Sequence, residues 1–333
     1  LRFIEFKRVF KALLEVTFPY SGLFCSMNQK LAVIDLGTNT FHLMIAETRG
    51  TKSHIIHREK VAVKLGKAGI NQDIIQEDAI DRAILTLQDF KSKMDREGVV
   101  AVHAFGTSAL RNAKNALTVT EKIKASTGIE VKIISGDDEA EMIYKGVQSA
   151  LDLGNETSLI MDIGAGSVEF ILGNGAKTLW KGSLEIGAQR ILELYRIQDP
   201  ITPGEIQQLD QFFESSLAEV HKVTQQYPPV TLVGSSGTFD TLSDLYCAEN
   251  NIAKNESDGE TPLTIGYFYS AYQQLIKMNR TERMNMTGMI ELRVDLIVVG
   301  CCLVRYILEK YNLKQIRVSS YSLKEGALAM LSN

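Results

Sequence analysis

Leu31-Ala-Val-Ile-Asp35-Leu-Gly37-Thr38-Asn39-Thr40-Phe-His-Leu-Met-Ile-Ala-Glu47 and Leu159-Ile-Met-Asp162-Ile-Gly164-Ala165-Gly166-Ser167-Val-Glu169-Phe-Ile-Leu-Gly173 are two versions of one pattern. Each is an apolar run, then Asp-apolar-Gly-x-x-hydroxyl, then a second apolar run. Asp35 pairs with Asp162, Gly37 with Gly164 and Thr40 with Ser167. Two apolar runs joined by a Gly-containing turn predict a β-hairpin. Glycines let the backbone approach an anion closely, and successive N–H groups of such a turn form a concave anion nest. An Asp beside the nest repels bare phosphate, which points to a metal ion or metal-bound water. Taken singly, each copy is equally an ordinary hairpin. The duplication argues for a shared purpose.

The chain has 333 residues, with 45% hydrophobic and 23% charged residues. That is an ordinary globular composition, and the length favours two domains. A net charge of −4 argues against a nucleic-acid binder but leaves room for a local basic patch and an anionic substrate. Cys25, Cys247, Cys301 and Cys302 form no CxxC pair, and no Cys/His cluster has zinc spacing. A reducing, cytoplasmic setting is expected. Residues 1–26 are expected to be an N-terminal extension outside the chemistry, with the functional chain beginning at Met27. Lys7, Arg8 and Lys11 interrupt any signal-peptide core there. The stretch from Leu296 to Val304 is too short to span a bilayer and reads as a buried helix.

In chain order, the first hairpin is followed by a strand over 53–64, a helix over 77–97 ended by Gly98, and a strand over 99–105. Gly106-Thr107-Ser108 then opens a helix to about 126, with Arg111 in its first turn. A strand-turn-helix of this kind is a ready anion site, although an Arg there is more often a solvated charge. Ser135-Gly-Asp-Asp-Glu139-Ala-Glu141 starts a further helix, and acidic residues at a helix start ordinarily serve its dipole and cap. After the second hairpin, the spacing predicts a strand over 177–185, a helix from Gly187, and one helix from Thr202 to about Gln225. A third Gly/Ser/Thr turn, Gly234-Ser235-Ser236-Gly237-Thr238, runs into a helix. Strands alternating with helices in both halves give an α/β class. Two halves facing each other would set both loops across one cleft.

From Met27 onward the residues resemble the exopolyphosphatase and guanosine pentaphosphate phosphohydrolase (Ppx/GppA) family. The most specific stretch is Thr107-Ser-Ala-Leu-Arg111-Asn-Ala-Lys-Asn115, followed by Ile134-Ser-Gly136-Asp-Asp-Glu139-Ala140 with Tyr144 and Gly146 behind it. The resemblance implies an actin-like ATPase fold of the sugar kinase and Hsp70 superfamily, with duplicated ribonuclease H-like domains in two lobes around a cleft. It implies domain I over 27–139, with 320–333 packing back on it, and domain II over 140–319. It implies Glu139 as the base that activates water, and Mg²⁺ held by Asp162 and Glu169 with Asp35 opposite. Thr38, Asn39, Thr40, Arg111, Gly164, Ala165, Gly166 and Ser167 would bind phosphate, and residues 234–238 would lie on a nucleoside side. The implied activity is removal of terminal phosphate from inorganic polyphosphate. Hydrolysis of guanosine pentaphosphate, a low-turnover binding sensor and, more distantly, a sugar kinase are the alternatives. The resemblance also implies a homodimer.

Two departures stand out. The family usually carries Gly at position 165, where alanine would tolerate a positive φ poorly. The late motif Ser322-Leu-Lys324-Glu-Gly326 has Lys for the usual Arg, which keeps the charge and loses the fork. Longer members add an HD-type metal domain. No His-Asp dipeptide occurs here, so the short two-domain form is expected.

Overall fold

The computed structural model describes residues 29–49, 52–255 and 258–331. The expectations for residues 1–26 lie outside them. Two sheets organise the chain. The first contains β1 (Gln29–Leu36), β2 (Thr40–Arg49), β3 (Lys52–Ala62), β4 (Ala101–Gly106) and β5 (Val131–Ile133), in the order β3-β2-β1-β4-β5. The second contains β6 (Ser158–Ile163), β7 (Val168–Gly173), β8 (Thr178–Leu184), β9 (Thr231–Ser235), β10 (Glu260–Thr261) and β11 (Gln315–Ser319), in the order β8-β7-β6-β9-β11-β10. In both, the first three strands form an antiparallel meander and the next two join parallel to the first. The hairpin repeat is therefore the visible part of a repeated sheet, with β10 added at one edge.

Alternation along the strands sorts the core. Ala32, Ile34, Leu36, Phe41 and Leu43 face one way, onto α1 (Glu77–Glu97) and α3 (Ala116–Thr127). Val33, Met44 and Ala46 face the other way. They meet α4 (Gly136–Ala150) and α12 (Leu323–Leu331), whose far sides pack on Ile160, Ile171 and Val233 of the second sheet. Leu159, Met161, Phe170 and Leu172 point outward into the largest cluster. That cluster draws on α5 (Ala188–Tyr195), α6 (Pro203–Ser216), α7 (Ala218–Gln226), α8 (Ser236–Glu249), α9 (Ile265–Leu275), α10 (Arg280–Met284) and α11 (Ile297–Lys310). The layers run helix, sheet, helix, sheet, helix, so strands buried on both faces read as nearly continuous apolar runs. A division after Glu139 falls inside α4, which serves both sheets together with α12.

Two helices expected to be continuous are divided. The segment after Gly106 is α2 (Ser108–Asn112), a break, then α3. The Asn115 side chain exchanges hydrogen bonds with the Ile75 backbone at 3.0 and 2.8 Å, and Lys114 N–H donates to Asp73 O, so a neighbouring loop pins the break. The segment from Thr202 divides at Leu217, which is fully buried between α6 and α7. The starts and stops read from sequence hold. Thr202 and Glu205 form a reciprocal capping box, and Gly98 closes α1 at φ 70°.

Candidate active site

The two Asp-Gly turns superpose in their hydrogen bonding. Gly37 N–H donates to Thr40 O at 3.1 Å, and Gly164 N–H to Ser167 O at 3.0 Å. A Cβ on Gly37 or Gly164 would lie 2.8 or 2.9 Å from those same carbonyl oxygens. The glycines are needed for closeness, since neither has a positive φ. Ala165 does not have one either, so the cost expected for alanine there is absent. The amides of Thr38, Asn39, Ala165 and Gly166 donate to no backbone acceptor among the described residues. Strand register sets Asp35 opposite His42 and Asp162 opposite Glu169. His42 in the first copy thus takes the place of Glu169 in the second.

Both turns line one cavity of about 90 Å³, which also receives Glu139 from the first turn of α4. Asp35, Glu139, Asp162 and Glu169 all border it. Asp162 accepts hydrogen bonds from Ser235 (2.6 Å) and Ser236 (2.7 Å). Glu169 accepts from Ser167 (2.7 Å) and Ser183 (2.6 Å). Glu139 accepts from Arg111 at 2.7 Å. Asp35 Oδ1 and Thr40 Oγ1 are buried with no hydrogen-bond partner among the described residues. Burial pushes the Asp35 carboxyl up to about 7, with Asp162 and Glu169 adding repulsion against the pull of Lys324. Burial lifts Glu139 to about 8 in spite of Arg111. Glu169 is raised well above the usual range by burial and by Glu139 and Asp162, and burial raises Asp162 against its two serine bonds.

Burial and mutual repulsion hold these carboxylates toward the neutral form, and a positive charge beside them would lower that cost. Among the described residues, no group of three or more His, Cys, Asp or Glu closes into a ready-made metal cage. Mg²⁺ needs no such cage, since it binds through one or two carboxylates and leaves its other positions to water and substrate phosphates. The unpartnered Asp35 Oδ1 is a donor of the right kind.

The remaining expected residues divide. Arg111 lies behind Glu139 and also contacts Glu185 at 3.0 Å. Ser236 and Gly237 reach the cavity. Ser235 is turned onto Asp162, Gly234 lies under the Phe239 ring, and Thr238 packs against Gly300. Lys324 contacts Glu325 at 3.3 Å; burial works against its charge, but Glu325, Asp35 and Asp240 outweigh it and raise its pKa. Two cavity residues had no signal in the motifs. His42 is kept neutral by burial and the nearby Lys324, Lys60 and Arg293. Arg293 comes from the segment before α11. Its guanidinium lies so close over Gly237 that a Cβ there would be 1.7 Å from Cζ, and its buried Nε has no hydrogen-bond partner. The seven-residue spacing after each Asp would have found His42. Nothing in the local sequence marks Arg293.

A duplicated two-lobed α/β fold, with two glycine turns facing across a carboxylate-lined cleft, is the architecture of the actin-like ATPase class. Residues 44–332 match the Ppx/GppA phosphatase family, and the chain belongs to it. The fold resembles the crystal structure of an exopolyphosphatase from Cytophaga hutchinsonii, with a TM-score of 0.89 and 41% identity over 91% of this chain and 98% of that one. The sequence is 25% identical to exopolyphosphatase 1 of Mycobacterium tuberculosis over 90% of this chain and 87% of that one. It is 28% identical to the guanosine-5'-triphosphate,3'-diphosphate pyrophosphatase of Photobacterium profundum over 89% of this chain, which spans 58% of that longer protein. The chain is an enzyme of the phosphoanhydride hydrolase class. No helix among the described residues is long and apolar enough to cross a membrane.

Proposed function

We propose that the protein removes terminal phosphate from inorganic polyphosphate, using Mg²⁺ and a water activated by Glu139. The observation that carries this is the meeting of Glu139 with Asp35, Asp162 and Glu169 between two turns whose free amides suit phosphate oxygens. Glu139 takes the proton of the attacking water on its carboxylate, and Arg111 fixes the orientation of that carboxylate. The amides of Thr38, Asn39, Ala165 and Gly166, with the hydroxyl of Thr40, hold the terminal phosphoryl group. Asp35, Asp162 and Glu169 would hold Mg²⁺, which neutralises the charge of the phosphates. Phosphoryl transfer asks mainly for such positioning and charge neutralisation.

Guanosine pentaphosphate is the second reading. Arg293, whose Nε has no partner among the described residues, adds a cation to the cavity wall over Gly237. Either the next phosphates of a chain or the diphosphate arm of a nucleotide would take it. Phosphate release from short polyphosphate, long polyphosphate and the pentaphosphate should be compared for the wild type and Glu139→Gln. Release that survives Glu139→Gln at the wild-type rate would remove the proposed base. Binding of all three without release would make the protein a sensor.

A further inference from the structure

The polar contacts that join the two lobes beside the cleft converge on α5 and the residue just before its loop, Glu185. Arg190 is 14% exposed at its side chain and makes three connections. Its Nε donates to Gly166 O at 3.2 Å, within the second phosphate turn. Its Nη1 donates across the cleft to Ile70 O at 3.0 Å, and its Nη2 meets Glu185 Oε2 at 3.1 Å. Glu185 in turn takes Ser108 Oγ at 2.5 Å and Arg111 at 3.0 Å, both from the first lobe. Asn71 Nδ2 donates back to Arg190 O at 3.0 Å, and Ala68 N–H reaches Glu193 at 3.1 Å. Nearby the lobes touch: a Cβ on Gly166 would lie 2.4 Å from Thr38 Oγ1 and 2.5 Å from Ser108 Oγ.

We infer that Arg190, braced by Glu185, is a positioning residue that fastens the two lobes in the closed arrangement and so sets the spacing between the two phosphate turns. Thr38 to Thr40 and Arg111 belong to one lobe, and Gly164 to Ser167 and Glu169 to the other. A substrate gripped by both needs that spacing. If the fastener is lost, the lobes part in the free protein, and substrate binding must supply the closure. The apparent affinity then falls in proportion to the closed fraction. Only the planar guanidinium can serve a backbone carbonyl on each lobe and a carboxylate at once.

The test uses the full chain with Arg190→Met, Arg190→Lys and Glu185→Gln. Small-angle scattering of the free proteins reads lobe separation, and needs no turnover. Short polyphosphate hydrolysis with Mg²⁺ reads KM and kcat separately. For Arg190→Met, the radius of gyration should exceed that of the wild type and return toward it with saturating polyphosphate. KM should rise roughly 10- to 100-fold with a smaller change in kcat. Arg190→Lys should not restore the wild-type value, and Glu185→Gln should shift both readouts in the same direction. An unchanged radius of gyration in Arg190→Met overturns the inference, whatever KM does. Should that variant fail to fold, Glu185→Gln decides on the same two readouts. If no phosphate chain is hydrolysed by the wild type, the proposed reaction fails while the scattering result still judges the fastener.

Discussion

Glu139→Gln is expected to move activity and stability in opposite directions. Glu139 is buried, its carboxyl lifted from 4.5 to about 8 chiefly by burial, with Arg111 opposing that shift. A carboxyl raised in the folded state binds a proton that the unfolded chain releases. Its contribution is therefore free of penalty below the unfolded value of 4.5, and stability is lost as pH climbs toward 8. In the metal-free protein this loss is on the order of 1 kcal/mol by pH 5.5 and a few kcal/mol by pH 7, at about 1.36 kcal/mol per pH unit. Glutamine has the same shape, keeps an acceptor for Arg111 and carries none of the loss. Thermal melts of metal-free protein should show Glu139→Gln above the wild type by up to roughly 6 °C at pH 7. The gap should shrink by pH 5.5. Turnover should meanwhile fall by roughly 10²–10⁴, the contribution of a general base. Wild-type turnover would refute the role of the base. A variant that melts below the wild type at pH 7 would refute the account of the buried charge.

Three further outcomes are expected. Mg²⁺ added to metal-free protein should raise the melting temperature more at pH 8 than at pH 6, because burial lifts the Asp35 carboxyl to about 7 and the Glu169 carboxyl well above the usual range, so both hold protons that compete with the ion at the lower pH; equal shifts would show that these carboxylates do not face it. Ala165→Gly should leave kcat/KM within about twofold and cost up to roughly 1 kcal/mol in stability, since Ala165 needs no positive φ; a large gain in activity would mean the methyl obstructs phosphate. Glu205→Ala removes the acceptor of the Thr202 and Gln198 amides, both at 2.8 Å. It should lower the melting temperature by roughly 2–4 °C, a loss of about 1 kcal/mol, with kcat unchanged.

The hairpins and the glycine turns that follow Asp35 and Asp162 were legible because each is a local pattern within some 15 residues. Their repetition carried the two-lobed fold as well, since a repeated hairpin implied the repeated sheet. Glu139 was legible only through family resemblance: spacing alone assigned most acids at that helix start to capping, and Asp138 does sit against Ser135 there. Arg293, Glu185 and Arg190 escaped because their partners are distant in sequence. Arg190 finds Ile70 at a separation of 120 residues, and no periodicity encodes such a meeting. The breaks near Asn115 and Leu217 were missed for the same reason. In one a loop from residues 73–75 interrupts the helix, and in the other core packing does, while local propensity would have continued both.

The layer formed by α4 and α12 bears on how the molecule assembles over time. The inner face of the first sheet, at Val33, Met44 and Ala46, is covered by residues near 140 and near 327. Met142 and Gly326 come so close that a Cβ on Gly326 would be 1.6 Å from Met142 O. On a ribosome, β1 is made nearly 300 residues before the helix that completes its covering. Contacts so remote along the chain are slow to form, because a long loop must close before they yield any stabilisation. Until that helix is made, the inner apolar face of the first sheet lacks part of its native covering. Gly326 is the residue that lets this late helix seat so closely on α4, so any side chain there would loosen the covering of both sheets at once.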